Sequence, residues 1–211
     1  MLAFALRLKR FSRRYFGKRS GDYGNNNVTL APGVDEKLKL TFGGGKNTLQ
    51  VDAPHSIGRL SVHLADGASV RIEAGCILRD LAIHAIQGSQ LTIGRGCGFN
   101  DYVVINLHER RAVRIGADCL IAGGTHITIS DMHSVVDVHT GERLNPAADI
   151  VIGDHVWLAQ GALVLKGSVI GEGSIIGANS TVTGAIPKHA LAVGSPARVV
   201  KENVTWKLEL I

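Results

Sequence analysis

Among the side chains that could do chemistry, the histidines come first, since the chain holds nine of them. His133 lies two residues after Asp131, at a point where a repeat described below is interrupted. A neutral imidazole can take a proton from a hydroxyl or an amine near neutral pH. Asp131 could orient that ring or raise its basicity, or the two residues could simply be neighbours. Four other histidines are expected to have surface or hydrogen-bonded structural roles: His55, His63, His84 and His189.

The three cysteines, Cys76, Cys97 and Cys119, are the other reactive side chains. Their number is odd and no secretory signal precedes them, so a reduced, cytoplasmic protein is expected rather than a disulfide framework. A catalytic cysteine is the alternative. The repeat favours a structural role, because it places each cysteine where a small, buried side chain is required.

A six-residue hydrophobic period positions these groups. It is carried by Ile152, Leu158, Val164, Ile170, Ile176 and Val182. The residues one and four places later are mostly small, and units of the same form begin upstream at Ile72, Ile93, Ile115 and Ile121. Six is not a helical period, but it suits a short strand followed by a turn. Three such sides close a coil of 18 residues, which predicts an all-β parallel β-helix with an aliphatic core.

The period also marks a loop. Ile127 and His133 continue the phase of Ile121, whereas the next clear unit begins at Ile152. We therefore predict a loop over 134–149, extruded from the coils, with His133 at its mouth. Loops on a rigid scaffold are common places for function.

Positive charge is concentrated at the N-terminus. The chain has 23 basic and 18 acidic residues, and residues 1–20 contain seven of the basic ones and no acid. Phe4, Leu8, Phe11 and Tyr15 fall on one face of a predicted helix. A basic amphipathic arm over 1–22 could lie on an anionic membrane surface, or it could pack on the body or on a neighbouring subunit. No nucleic-acid partner is expected, and no run of apolar residues is long enough for a membrane-spanning helix.

The repeat units, the Asp131-Met132-His133 segment, the stretch 152–158 and the stretch 194–198 resemble the hexapeptide-repeat, left-handed β-helix acyltransferases. Within that family they are most similar to the branch that O-acetylates sugars of bacterial surface polysaccharides. The resemblance implies a left-handed β-helix over 23–199 and a C-terminal tail over 200–211. Trp206 and the residues 208–211 of this tail are expected to dock on the body or on a neighbour. It also implies a homotrimer in which two subunits share each active site, with His133 as the general base and Asp131 as its helper.

The same resemblance implies acetyl-CoA as co-substrate, lying in a groove between subunits. The turns expected to bind it are Ala159-Gln160 and Gly177-Ala178, flanked by Trp157 and Thr183, with Arg198 and Lys201 meeting the phosphates. Asn100 resembles an asparagine that stabilises the oxyanion or positions the acceptor, although a turn role is equally open. Asn145 is a further candidate for contact with the acceptor. Relatives often carry a lysine where Gly184 stands, so this phosphate contact is missing.

The resulting hypothesis is a cytoplasmic O-acetyltransferase, held by its arm at the inner face of the membrane, that acts on a sugar or lipid-linked saccharide. One alternative is an acetyltransferase for another small acceptor, such as a nucleotide-linked amino sugar, serine or a drug. A second is a non-catalytic β-helix scaffold. The γ-class carbonic anhydrases share the repeat and bind zinc through histidines. His126, His133, His139 and His155 could be assembled in that way, but no metal is expected because the other motifs point to acyl transfer.

Overall fold

A computed structural model describes residues 23–211, and the predicted arm over 1–22 lies outside the described residues. The described chain forms 21 strands and no helix. The strands wind into a parallel β-helix with three faces, as the six-residue period predicts. No described segment forms a helix long and apolar enough to cross a membrane.

Face 1 is an eight-stranded parallel sheet in which each strand belongs to a successive coil. Its strands are β1 (Asn27–Leu30), β3 (Thr48–Val51), β5 (Ser69–Ile72), β7 (Gln90–Ile93), β10 (Ala112–Ile115), β13 (Ile150–Ile152), β16 (Val169–Ile170) and β19 (Ala185–Ile186).

The other two faces share one 13-stranded sheet, because two long strands bend around the corner between them. These are β4 (Ser56–Ala65) and β6 (Ile77–Ala85). Face 2 continues through β8 (Gly98–Phe99), β11 (Leu120–Ile121), β14 (Trp157–Leu158), β17 (Ile175–Ile176) and β20 (Ala190–Gly194). Face 3 comprises β2 (Leu38–Gly43), β9 (Val103–Leu107), β12 (His126–Thr128), β15 (Leu163–Leu165) and β18 (Thr181–Val182), together with the second halves of β4 and β6.

The core is a ladder of aliphatic side chains from successive coils. On face 1, Ile115 pairs with Ile152 and Ile152 with Ile170, and all three are at most 2% exposed. In the first half of the chain the coils are longer, since Val51 pairs with Ile72 and Ile72 with Ile93 at 21-residue spacing. The period of six finds single units here, at Ile72 and Ile93, but does not give the length of these coils, whose extra residues lie in the longer strands β4 and β6.

Glycine follows the inward isoleucine for a reason of space. A Cβ on Gly94 would lie 2.7 Å from the backbone carbon of Gly116 in the next coil, and one on Gly171 would lie 2.4 Å from the nitrogen of Lys188. The left-handed backbone of the turn lies two residues after this glycine, at Gly96 (φ 69°) after Gly94 and at His155 (φ 53°) after Gly153. The small residue thus permits close stacking of coils, and the turn itself falls elsewhere.

All three cysteines are free and buried, at the small-residue position of the repeat. The Cys97 thiol donates to the Gly116 carbonyl at 3.0 Å, and the Cys119 thiol donates to the Gly153 carbonyl at 3.1 Å. Each thiol thus satisfies a carbonyl of the neighbouring coil, which is a structural role.

The C-terminal end closes the sheet. β21 (Ala197–Glu202) runs antiparallel to β20 and forms a hairpin with it. The following tail brings Trp206 back onto the body, where it is 9% exposed. Leu208, Leu210 and Ile211 do not pack on this chain, since they are at least 77% exposed. The expected docking on the body is therefore seen for Trp206, and docking of residues 208–211 on a neighbour stays a prediction.

Candidate active site

One corner of the β-helix, where the chain passes from face 3 to face 1, carries His133. We call it the histidine corner, and it consists of the turns 108–111, 129–149, 166–168 and 183–184 of successive coils. The predicted loop 134–149 lies within the second of these turns. Because the turns stack, the corner brings Glu109, Asp131 and Lys166 together despite their separation in sequence.

Asp131 is held by two partners at this corner. Lys166 Nζ lies 2.5 Å from Asp131 Oδ2, and Asn145 Nδ2 donates to the same oxygen at 2.7 Å. These contacts, that of Lys166 first, lower the pKa of Asp131 from its ordinary value. Within residues 23–211, no hydrogen bond joins the Asp131 carboxylate to the His133 ring. The carboxylate thus organises the loop, and its role as helper of the base stays a prediction.

Asn145 uses its whole side chain inside the loop. Its Nδ2 also donates to the His133 carbonyl at 2.9 Å, and its Oδ1 accepts from the Val135 amide at 2.7 Å. The same Oδ1 accepts a second hydrogen bond from Arg143 Nε at 3.3 Å. The amide has two donors and two acceptor sites, and all four are occupied. In this geometry Asn145 holds the loop, and the predicted acceptor contact would require one of these bonds to break.

A second polar group fixes the other side of the loop. Arg143 binds Glu109 through two nitrogens, each 2.7 Å from a carboxylate oxygen. Ser130 Oγ donates to Glu109 at 2.5 Å and accepts from the Met132 amide at 3.0 Å. The bonds from Arg143 and Ser130 lower the pKa of Glu109 to about 2. This bidentate ion pair ties the far arm of the loop to the preceding coil.

His133 itself is exposed. Its backbone amide donates to the Asp131 carbonyl at 2.7 Å, and Met132 before it adopts left-handed backbone (φ 62°). Among the described residues its ring has no hydrogen-bond partner. The backbone is therefore tightly fixed while the imidazole stays open to an incoming group.

A second corner, from face 2 to face 3, carries the predicted acetyl-CoA turns. We call it the turn column. The Asn100 amide donates to the Ile121 carbonyl, and the equivalent bonds of Ala122, Ala159 and Gly177 follow one coil apart, each at 2.9 Å. The backbone amide of Asn179 donates to the backbone carbonyl of Gln160 at 2.9 Å. The turn that contains Ala178 therefore stacks on the turn that contains Gln160. Asn100 thus heads the same column, three coils from Gly177.

Trp157 lies on face 2 beside this column and is half-buried. Trp206 of the tail packs near it, with ring centroids 6.3 Å apart, and stacks on His155 at 4.3 Å with an interplanar angle of 7°. Trp206 Nε1 donates to the His155 carbonyl at 2.7 Å, and His155 Nε2 lies 3.1 Å from the Trp206 carbonyl. The tail thereby forms part of the surroundings of Trp157.

The remaining predicted cofactor residues are distributed over the molecule. Thr183 lies at the histidine corner, one strand away from the turns it was expected to flank, because β18 separates it from Ser180. Arg198 and Lys201 lie exposed on β21, and no described acidic side chain pairs with either. Within one chain, face 3 separates the histidine corner from the turn column, so a single chain does not bring the two sets together.

The zinc alternative can be compared with the positions of its histidines. His155 is engaged by Trp206, and His126 Nε2 lies 2.6 Å from Asn106 Nδ2 on face 3. Over the part of the chain that the structure describes, no three His, Cys, Asp or Glu side chains are grouped as metal ligands would be.

Lys166, Glu109 and Arg143 are the site residues that sequence reasoning missed. The loop adds residues to one coil, so Ile115 pairs with Ile152 at 37-residue spacing and the regular period no longer identifies partners across it. Aligning the coils on both sides of the loop would have placed Lys166 in the turn one coil after Asp131, and this opposite charge was the signal that could have identified the pair.

Comparison with known proteins identifies the family. The family described as bacterial transferase hexapeptide (six repeats) matches residues 149–184. A polysialic acid O-acetyltransferase of Escherichia coli O1:K1 / APEC is 44% identical over 103 residues, covering 47% of this chain and 34% of the relative. One of Neisseria meningitidis is 41% identical over 103 residues, covering 48% of each. The matched segment thus spans about a third to a half of the length of these curated relatives.

The structural match covers more. The crystal structure of the polySia-specific acetyltransferase NeuO superposes with a TM-score of 0.78 and 30% sequence identity, covering 88% of this chain and 86% of the other. The structural similarity thus extends over most of both chains, well beyond the six repeats that the family model matches. The chain therefore belongs to the hexapeptide-repeat transferase family and folds as a left-handed β-helix.

Proposed function

We propose that the protein is an acetyl-CoA-dependent O-acetyltransferase that acts on a sugar hydroxyl of a bacterial surface polysaccharide. The observation that carries the proposal is the histidine corner, where a fixed backbone presents an exposed imidazole at His133. The names of the relatives supply the substrate class, since two are polysialic acid O-acetyltransferases. Exopolysaccharide, capsule or O-antigen are the polymers in question.

The residues at the turn column suit the co-substrate. Successive turns expose Gln160 and Ala178, which gives a line of backbone groups that a pantetheine arm could follow. Arg198 and Lys201 are exposed cations that could meet phosphates by charge-assisted bonds. Acetyl-CoA would supply an acetyl group activated as a thioester.

The chemistry required of the chain is a proton transfer. His133 accepts the proton of the sugar hydroxyl as its oxygen attacks the thioester carbonyl, and the imidazolium returns that proton to the departing sulfur. The products are an O-acetyl sugar and free CoA. A covalent acyl-enzyme is unnecessary, because holding both substrates in one groove supplies the required proximity. Asn100 is the candidate for positioning the acceptor or stabilising developing negative charge.

A homotrimer would complete the site. The histidine corner and the turn column lie on opposite edges of face 3, so a neighbouring copy could place its turn column beside His133. The loop supports such a contact, because Val135, Val138 and Leu144 are each more than half exposed. Sedimentation equilibrium would test this part, and an active monomer would contradict it.

The basic arm over 1–22 completes the proposal, with the protein at the inner face of the membrane and a lipid-linked saccharide as a candidate acceptor. Its support is the concentration of seven basic residues in the first 20. Deletion of residues 1–20 should abolish partitioning onto anionic liposomes while leaving acetyl transfer to a soluble oligosaccharide intact. Unchanged partitioning would exclude this role.

The main test is acetyl transfer itself. Purified protein would be incubated with acetyl-CoA and a panel of oligosaccharides that includes polysialic acid, and acetylated products would be read by mass spectrometry. His133→Ala should lower kcat by about 10²–10⁴-fold, the usual contribution of a general base. Saturating acetyl-CoA should raise Tm by about 5–10 °C in both proteins.

The alternatives give different results. Acetylation of an amino sugar, serine or a drug in place of the oligosaccharides would change the acceptor class and keep the fold and the base. A scaffold would show no rise in Tm with acetyl-CoA and no product with any acceptor. Full activity of His133→Ala would contradict the assignment of the base.

A further inference from the structure

Lys166 anchors the loop that carries His133 to the following coil, and the ion pair of Arg143 with Glu109 ties it to the preceding one. Lys166 Nζ lies 2.5 Å from Asp131 Oδ2 and 3.1 Å from the Asn145 carbonyl, so it contacts both arms of the loop at once. Asn145 in turn donates to the His133 carbonyl. Resting on the proposed function, we infer that Lys166 and Asn145 are positioning residues that fix the backbone of the general base.

The anchor comes from a rigid part of the fold. Lys166 follows β15, whose Val164 is fully buried and pairs with Ile127 of β12. Its side chain is only 24% exposed, which is low for a lysine at a turn. The ammonium is thus held by the coil next to the one that carries the loop, and the loop inherits the position of that coil.

The bonding capacity of these side chains argues against direct contact with substrate. All four sites of the Asn145 amide are used within the loop. Two of the three donors of Lys166 are committed to Asp131 and to the Asn145 carbonyl. A phosphate or sugar contact would have to displace these bonds, and such a loss would release the loop that carries His133.

The ion pairs at this corner define what loss of the lysine should change. The charged groups that face one another are Asp131 with Lys166, and Glu109 with Arg143. Removing the ammonium leaves the Asp131 carboxylate without its ionic partner, while the pair of Glu109 with Arg143 stays in place. Lys166→Met should therefore loosen the segment that carries His133 without detaching the whole loop.

The experiment compares Lys166→Met with Lys166→Arg, and uses Lys39→Met as the matched control. Lys39 is exposed on β2, far along the β-helix from the histidine corner. We expect Lys166→Met to lower kcat by about 10–100-fold, because a small displacement of a catalytic group has this effect, with KM for acetyl-CoA changed by less than about twofold. Lys166→Arg should recover most of the loss, and Lys39→Met should match the wild type.

Results of the opposite kind would overturn the inference. These are an unchanged kcat in Lys166→Met, a raised KM for acetyl-CoA with unchanged kcat, or no recovery of kcat in Lys166→Arg. Asn145→Ala should reproduce the kcat loss of Lys166→Met, and the double variant should add little to it. Independent, additive losses would mean that the two side chains do not act on one anchor.

Amide exchange separates this inference from the proposed function. The Val135 amide donates to Asn145 Oδ1, so its protection reports the anchor without any turnover. We expect it to exchange faster in Lys166→Met and Asn145→Ala than in the wild type, with the buried strands unchanged. Unaltered Val135 protection would refute the anchor even in an active enzyme. Lack of acetyl transfer by the wild type would refute the proposed function, and with it the catalytic meaning of the anchor.

Discussion

Replacement of Trp206 tests how the tail contributes to the site. Trp206 is 9% exposed and stacks on His155, while its indole donates to the His155 carbonyl. Val204 adds a backbone bond to the His189 carbonyl at 2.9 Å. These are the contacts that keep the tail on the body, so Trp206→Ala should release it.

The magnitude follows from burial and ordering. A buried aromatic removes about 150–250 Å² from water, worth about 4–6 kcal/mol at about 25 cal/mol per Å². Three hydrogen bonds, two between Trp206 and His155 and one from the Val204 amide, add about 1 kcal/mol each. Ordering the four residues 203–206 costs about 1.5 kcal/mol per residue, or about 6 kcal/mol. The net stabilisation is therefore about 1–3 kcal/mol, so Trp206→Ala should lower Tm by less than about 12 °C and leave the β-helix folded.

The assay uses the small number of tryptophans. The chain has two, so Trp206→Ala leaves Trp157 as the only one and its emission reports its surroundings. We expect a red shift of emission, faster amide exchange at Val204 and a raised KM for acetyl-CoA. Trp206→Phe keeps an aromatic ring without the indole donor, so its amide exchange and its KM should fall between those of the wild type and of Trp206→Ala. Unchanged exchange at Val204, or a cooperative loss of the whole β-helix, would refute the reasoning.

Further predictions concern charge, packing and space. A Cβ at position 184 would have no atom within 4 Å, so Gly184→Lys should leave Tm unchanged. The added ammonium should lower KM for acetyl-CoA by binding a phosphate. Gly94→Ala should destabilise the fold by at least about 1 kcal/mol in urea titrations, because its Cβ would meet fixed backbone at 2.7 Å. Ile121→Ala, at a fully buried position, should cost about 2–5 kcal/mol in the same titrations. The pKa of Glu109 is lowered to about 2, so its ionised form stabilises the fold. This contribution to stability should be complete above pH 4.5 and be lost as the pH falls to about 2. Glu109→Gln should remove this part of the dependence of Tm on pH.

The general architecture could be predicted from the sequence because the repeat is local. Inward side chains at Ile152, Leu158 and Val164 recur every six residues, and each is nearly or fully buried in the structure. The small residues between them, cysteines included, occupy the places where coils approach closely. The predicted β-helix over 23–199 included the first half of the chain, but the 21-residue length of its coils was not predicted, because the strands there are longer and the six-residue phase does not hold.

The candidate site was predictable only in part. The loop at His133 could be located because the repeat stops there. The Ala159 and Gly177 turns were predicted from the resemblance to the acyltransferases, and their 18-residue separation agrees with stacking. The anchor of the loop could not be found in this way, since Lys166 lies 35 residues from Asp131 and the insertion hides which turns are adjacent.

The sequence by itself determined the coil and its aliphatic ladder, because these depend on spacing within one coil, and its resemblance to the acyltransferases made His133 the candidate base. Only the tertiary structure decided which side chains meet across coils. It committed Asn145 to the loop, paired Asp131 with Lys166, and placed His133 and the turn column on opposite edges of one face. The physical reason is that stacking sets contacts by register between coils, and register depends on every insertion before it.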